Sequence, residues 1–172
     1  MIQILGACMI LLGTIGIGYT FIEKEEKIIG VIETWERVMQ MFISEITYKK
    51  QPLNLACLEI GEKIGGKEGC CLKEITKRMK DNQRVGFGNI WKEECQKYSK
   101  TEKITGDIMD ILEEFGVLTG FEDENMQKRM IEEQKEKWKN LRLRKQEEHQ
   151  ERKKLIRILS TCTGLILILI LW

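Results

Sequence analysis

The sequence predicts an all-α protein, an antiparallel helical bundle that lies between an N-terminal and a C-terminal transmembrane helix. The chain of 172 residues has one proline and is 32% charged, a composition that favours long helices. Apolar residues in the charged region recur at three- and four-residue spacings, which is the pattern of amphipathic helices. All charged residues lie between Glu23 and Arg157, so both ends of the chain are apolar. These observations predict one helical domain with an apolar segment on either side.

The first element is a predicted membrane span over residues 1–22, which carry no charge. A bilayer core takes about 20 helical residues, so this segment is long enough to cross it. A secretory signal peptide would begin with basic residues, whereas the first basic residue here is Lys24. We therefore predict that the segment is retained as a transmembrane helix. Gly6 and Gly13 lie on one face of it, and the sequence leaves open whether they pack against another helix.

Five bundle helices are predicted next, each from apolar residues at helical spacing. The first continues from the span, Pro52 stands in the first turn of the second, and residues 81–89 (DNQRVGFGN) form a loop after the third. The predicted inner faces, helix by helix, are Ile28, Ile32, Trp35, Met39, Phe42 and Ile46; Leu53, Ala56, Cys57, Ile60 and Ile64; Leu72, Ile75 and Met79; Trp91, Cys95 and Tyr98; and Ile104, Ile108, Ile111, Leu112, Phe115 and Leu118.

The sixth helix is predicted to begin after Asp123, a suitable N-cap, and to continue to the end of the chain. Such a helix would be about 70 Å long. Residues 144–154 (RKQEEHQERKK), which we call the charged rod, contain no apolar residue. A helix that is polar all round is typically solvated or bridges between parts of a protein. The apolar positions before the charged rod are Met126, Met130, Ile131, Trp138, Leu141 and Leu143.

Residues 158–172 are predicted to form a second, short transmembrane helix. They give about 22 Å of helix, which is less than the ~30 Å of a bilayer core. Arg157 can extend its charge to the headgroups, and Trp172 suits the membrane interface. A lone strand is excluded because its backbone groups would stay unpaired in lipid. We interpret the segment as a helix that barely spans, and the sequence leaves open whether it crosses fully.

The distribution of charge predicts the orientation of the chain. Residues 23–127 hold 16 basic and 21 acidic residues, whereas residues 128–157 hold 12 basic and 6 acidic ones. Basic residues flank both spans on the side of the middle region, so residues 23–157 are predicted to be a cytoplasmic domain. The basic end faces membrane lipid rather than nucleic acid, because acidic residues interrupt it. The predicted membrane-flanking residues next to the second span are Arg152, Lys153, Lys154 and Arg157.

No motif in the sequence predicts an enzyme, a cofactor or a metal site. Residues 61–68 (GEKIGGKE) fit the phosphate-binding pattern G-x-x-x-x-G-K, but Glu68 stands where Ser or Thr would reach magnesium. The apolar spacing before them is helical, so we interpret them as a glycine-rich link between two helices. His149 lies in the charged rod and is predicted to be fully solvated, unlike a general base. The six cysteines have neither zinc-site nor disulfide-framework spacing.

Several segments along nearly the whole chain resemble the stage III sporulation protein AB family of endospore-forming bacteria. They are LGA in the first span, EITYKKQPL, NIWKE, FGVLTGFEDENMQ and the short apolar C-terminus. The sequence departs from the family at Gln51 and Thr119, where threonine and leucine are usual. The family-motif residues are Glu45, Tyr48, Pro52, Leu53, Trp91, Phe115, Gly116, Gly120, Asp123 and Gln127.

Most of these motif residues have an ordinary structural interpretation. Trp91 and Phe115 are predicted to lie in the core, Gly116 and Gly120 to permit a tight turn, and Asp123 to cap a helix. The sequence does not locate the residues that contact a partner.

The resemblance implies a non-enzymatic membrane platform in the channel complex between mother cell and forespore. The implied location is the mother-cell membrane around the forespore. The implied partners are stage III sporulation protein AA, a secretion-type ATPase, and the ring-forming members of the same complex. The family is also similar to the inner-membrane platform protein of type II secretion. An alternative hypothesis is a membrane-tethered signalling or adaptor module without a transport role, which would not accompany the ATPase.

Overall fold

Six helices and no strands make up the part of the chain that the computed structural model describes, residues 2–81, 84–104, 106–118 and 124–171. The helices are α1 (Ile2–Thr47), α2 (Leu53–Ile64), α3 (Gly66–Asp81), α4 (Phe87–Glu102), α5 (Asp107–Leu118) and α6 (Glu124–Leu171). The predicted all-α bundle is confirmed. The chain divides into a terminal unit, Met1–Gly30 with Leu143–Trp172, and a bundle unit, Val31–Arg142.

The core of the bundle unit is built around buried aromatic rings. Trp35 of α1 packs edge-on against Trp91 and Tyr98 of α4, with ring centroids 6.0 and 5.7 Å apart, and stacks on Trp138 of α6 at 6.2 Å. Phe115 of α5 lies 4.7 Å from Trp91. Aromatic pairs at these distances stabilise a core beyond the area they bury. Four helices are therefore joined through one cluster of rings.

Most of the predicted inner-face residues are buried in this core. Ile28 and Leu143 are exposed, and both belong to the terminal unit rather than to the bundle. Met126, near the start of α6, is also exposed. Ile104 is buried as predicted, but it precedes α5 and does not lie within it.

Two pairs of glycines allow helices of the bundle to approach closely. A Cβ atom on Gly69 of α3 would lie 2.5 Å from the backbone oxygen of Gly61 of α2. A Cβ atom on Gly88 of α4 would lie 2.7 Å from the backbone oxygen of Gly116 of α5. Real Cβ atoms do not sit so close to a backbone oxygen, so these helix contacts depend on glycine.

Two predicted helix boundaries are wrong by a few residues. Pro52 has an extended backbone (φ −63°, ψ 147°) and precedes α2 as its N-cap, because the helix begins at Leu53. The predicted loop at residues 81–89 is too long, since α3 includes Asp81 and α4 begins at Phe87. Phe87 packs against Trp91 at 5.5 Å, and this aromatic contact outweighs the helix-breaking tendency of the neighbouring glycines.

The terminal unit contains the beginning of α1 and the end of α6. The described residues include no helix whose length and apolar character together would suffice for crossing a membrane. The transmembrane helices at residues 1–22 and 158–172 therefore stay predictions, and Trp172, the predicted interfacial anchor, lies outside the described residues.

Candidate functional site

The connection between α1 and α2, residues 45–55, is organised by a buried carboxylate. We call this connection the α1–α2 corner. Glu45, in the last turns of α1, is only 2% exposed. Its carboxylate lies 2.6 Å from the Lys49 ammonium and accepts a hydrogen bond of 2.9 Å from Lys63 of α2. A buried charge is stable only when it is paired, so these lysines are what allows Glu45 to be buried.

Further bonds hold the backbone of the corner in one conformation. The backbone N–H of Gln51 donates a hydrogen bond to the backbone carbonyl of Glu45 at 3.2 Å, and the side-chain amide of Gln51 donates one to the Glu59 carboxylate at 2.9 Å. Lys49 also bonds Glu59, at 3.0 Å. Lys50 has φ +50°, in the left-handed region that residues other than glycine seldom adopt. Such a conformation persists where the surrounding structure enforces it, and it often marks a functional segment.

Tyr48 stands out from the other aromatic residues of the chain. It is 82% exposed, whereas every other aromatic side chain that the structure describes is buried or partly buried. Pro52 is exposed as well, and Leu55 in the first turn of α2 is 41% exposed. The sequence pattern alone does not predict this arrangement. The i, i+4 spacing of Glu45 and Lys49 is the one signal in the sequence that indicates an ion pair in this connection.

The charge of Glu45 is predicted to stabilise the fold above acidic pH. Burial raises the pKa of Glu45, but the hydrogen bonds from Lys49 and Lys63 outweigh burial and leave the pKa below its ordinary value. A lowered folded-state pKa stabilises the protein above the unfolded pKa, and this stability is lost as the pH falls through the folded one. We expect Glu45→Gln to lower the free energy of unfolding by about 1–2 kcal/mol at pH 7, since both lysines are half-exposed.

The measurement is thermal unfolding of both proteins at several pH values. The difference between them should shrink as the pH falls below the ordinary pKa of a glutamate, because the wild-type carboxylate is then progressively protonated. Glu62→Gln is the matched control, because Glu62 is an exposed glutamate of the same helix as Lys63. A difference that is equally large at pH 3 and pH 7 would contradict the assignment of the effect to charge.

A second group of motif residues forms part of the core. The Trp91 indole donates a hydrogen bond of 2.6 Å to the Leu112 carbonyl. Gly116 lies within α5 and not in the tight turn predicted for it. A Cβ atom there would sit 2.6 Å from Trp91 Cδ1, so the glycine makes room for the indole. Gly120 and Asp123 lie outside the described residues, and Leu53 and Gln127 are half-buried.

The charged rod does not have the uniformly solvated surface that was predicted. His149 is only 9% exposed, and its Nδ1 and Nε2 atoms lie 3.1 and 3.5 Å from carboxylate oxygens of Glu25 and Glu26 of α1. Arg152 pairs with Glu25 at 2.9 Å, and Lys153 with Glu26 at 3.2 Å. The terminal unit therefore contains a polar contact between α1 and α6. The prediction was wrong because the partners of the rod lie at the other end of the sequence.

Lys154 and Arg157 are the two other residues predicted to flank the membrane. Lys154 is exposed, and the side chain of Arg157 lies outside the described residues. Hydrogen bonding to Lys153 is the main cause of a lowered pKa of Glu26, which keeps that contact charged.

The segment at residues 61–68, which resembles a phosphate-binding loop in sequence, connects two helices, as predicted. Gly61 lies inside α2, and Gly65 and Gly66 have φ values of +66° and +59° at the junction with α3. Glu68 accepts a hydrogen bond of 2.6 Å from the Tyr98 hydroxyl. The glycine spacing is therefore explained by the junction and by the contact between Gly61 and Gly69.

The described cysteines are free thiols. Three of them are buried in the bundle, Cys57, Cys71 and Cys95. Burial raises the pKa of the Cys57 and Cys95 thiols well above that of an ordinary cysteine. A raised pKa disfavours the thiolate, which is the reactive form. Cys70 and Cys162 are exposed. No group of three metal-binding side chains occurs among the residues that the structure describes.

Comparison with known proteins identifies the family. Residues 3–172 match the family model for stage III sporulation protein AB. A solved structure described as stage III sporulation protein AB superposes with a TM-score of 0.61 at 17% identity, covering 67% of this chain and 91% of that chain. At this identity the likeness shows the fold alone. A search of curated proteins found no match. The chain therefore belongs to the stage III sporulation protein AB family and has a role in sporulation.

Proposed function

We propose that the chain is a non-enzymatic membrane platform of the channel complex between mother cell and forespore. The bundle unit would dock a secretion-type ATPase of the stage III sporulation protein AA kind. The proposed location is the mother-cell membrane around the forespore, with the bundle in the cytoplasm. The observation that carries the proposal is the family match over residues 3–172. The resemblance to this family implies membership of that complex.

Two features of the helices support a platform. The helices α1 and α6 each include one of the apolar end segments and also supply core residues, Trp35 and Trp138, to the bundle. A helix shared in this way suits a protein that must hold a docked partner at a membrane. The residues next to the second apolar segment are basic, which favours an anionic lipid surface.

The proposal is tested by affinity purification of the tagged full-length protein from cross-linked membranes of sporulating cells. We expect the ATPase and the ring-forming members of the complex to be recovered with it. A tagged membrane protein of unrelated function, expressed to the same level, is the control for nonspecific recovery. If the bait is recovered in good yield without either partner, the platform proposal fails and a membrane-tethered adaptor becomes the better hypothesis.

A further inference from the structure

We infer that the α1–α2 corner is a docking surface for a folded partner protein, with Tyr48 as its apolar anchor and an acidic surface on the partner around it. The inference rests on the proposed platform function for the existence of a docked partner. It goes beyond that function because it names the contact surface and the chemistry of the surface that fits it.

The first argument is the exposure of Tyr48 on a segment whose conformation is tightly held. A tyrosine ring that is 82% exposed leaves a large apolar area in water. The corner that carries it contains a buried, doubly paired carboxylate at Glu45 and a left-handed residue at Lys50. Both features cost free energy unless their surroundings compensate. Tyrosine is among the residues that contribute most to protein–protein binding, and a side chain presented on a fixed backbone loses little entropy when it binds.

The second argument is the charge around the corner. The exposed face of α3 carries Lys73, Lys77 and Lys80, which follow one another at spacings of four and three residues. Lys77 lies 3.8 Å from Glu74 in a solvent-exposed pair, and no ion-pair partner for Lys73 or Lys80 occurs among the described residues. Exposed lysines, of which Lys73 and Lys80 have no ion-pair partner among the described residues, favour an acidic surface on whatever binds there.

Lys77 and Lys80 lie near the beginning of α2 because α2 and α3 are antiparallel. Thr76 Oγ1 donates to the Asn54 carbonyl at 3.2 Å, so the second half of α3 lies beside the beginning of α2. Gly61 and Gly69 make the matching contact at the other end of the pair. Lys77 and Lys80 are therefore at the end of α3 that lies beside Asn54 of the corner, next to the exposed Leu55.

A protein fits this surface better than a lipid bilayer does. A bilayer has no fixed pocket, so a braced backbone and a single strongly exposed ring would bring little advantage there. A folded protein with an apolar pocket and carboxylates at its rim would use the ring, the fixed backbone and the lysines together.

The experiment places a photo-cross-linking phenylalanine derivative at position 48 of the full-length protein in sporulating cells. The same probe at position 100 is the matched control, because Lys100 is an exposed residue in the last turn of α4. We expect an adduct with a different protein from position 48 alone, and the cross-linked peptide of that protein should be rich in Asp and Glu.

Variants test the chemistry of the contact. The pair Lys77→Glu and Lys80→Glu should weaken the adduct at least tenfold, whereas Lys100→Glu should leave it unchanged. In copurification, Tyr48→Phe should retain the partner and Tyr48→Ala should lose it. Thermal unfolding of Tyr48→Ala should match the wild type, since the exposed ring contributes little to the fold.

Several results would overturn the inference. An adduct between two copies of this chain would make the corner a self-association surface, and an adduct with lipid alone would make it a membrane contact. No adduct at position 48, or one that is insensitive to the charge reversal, would also contradict it. If the ATPase is recovered but position 48 gives no adduct, the docking inference fails and the platform proposal stands. If position 48 cross-links to an acidic protein other than the ATPase, the docking inference stands and the proposed docking of the ATPase fails.

Discussion

Replacing Trp91 with alanine is expected to lower the free energy of unfolding by about 3–5 kcal/mol. The Trp91 ring is fully buried, contacts Trp35, Phe87 and Phe115, and donates a hydrogen bond to the Leu112 carbonyl. Its removal leaves a cavity where α1, α4 and α5 meet, and it leaves a buried carbonyl without this donor. Urea unfolding of the full-length protein, followed by circular dichroism, measures the effect.

The partner of Trp91 in this contact is Gly116, and a double-mutant cycle isolates their interaction. Gly116→Ala alone should lower the free energy of unfolding by about 1–3 kcal/mol, because the new methyl group would clash with the indole. In the Trp91→Ala background the cost should fall, since the indole atoms 2.6 and 3.1 Å away are gone and only Cβ, at 3.2 Å, remains. Gly30→Ala is the control, because a Cβ atom there meets nothing within 4 Å. Equal costs of Gly116→Ala in both backgrounds would show that the indole does not set the requirement for glycine.

Gly69→Ala is also expected to lower the free energy of unfolding, by about 1–3 kcal/mol or more. The atom that the new methyl group would meet is the backbone oxygen of Gly61, which cannot rotate away as a side chain can. The helices α2 and α3 must then separate, which weakens the hydrogen bond from Thr76 to Asn54. The measurement is urea unfolding, together with hydrogen exchange of the amides in α2 and α3.

The same variants distinguish helix packing from nucleotide binding at residues 61–68. Packing predicts that Gly61→Ala and Gly69→Ala both destabilise the protein in the absence of any ligand. It also predicts that magnesium and ATP leave the melting temperature of the wild type unchanged. A rise in melting temperature with ATP that Gly61→Ala abolishes would contradict the packing explanation.

Apolar spacing in the sequence was sufficient to identify the core, but not the details of the corner and the rod. Trp35, Trp91 and Trp138 were placed correctly because burial repeats with the period of the helix. The sequence predicts a turn at Gly116 because a glycine that ends a helix and one that accommodates an indole look the same in sequence. The burial of His149 depends on Glu25 and Glu26, which a local pattern does not connect to it.

Tyr48 illustrates a different limit. Its neighbours Glu45 and Ile46 are buried, so helical periodicity alone does not say where the ring at the end of α1 points. That direction depends on the bonds of Lys49, Lys63 and Gln51, which join residues of two helices. Exposure at a chain reversal is a property of the tertiary structure.

The aromatic cluster also makes the fold visible to spectroscopy. Trp35, Trp91 and Trp138 come from α1, α4 and α6, and the ring of Trp35 lies 6.0 Å from that of Trp91 and 6.2 Å from that of Trp138. Indoles this close exchange excitation energy and, when held rigidly, give a strong near-ultraviolet circular dichroism signal, which loosened packing abolishes while helix content remains. Departure of any one of the three helices from the cluster would change the optical signal of the other two. Tertiary packing of the bundle can therefore be followed without attaching a dye to the chain.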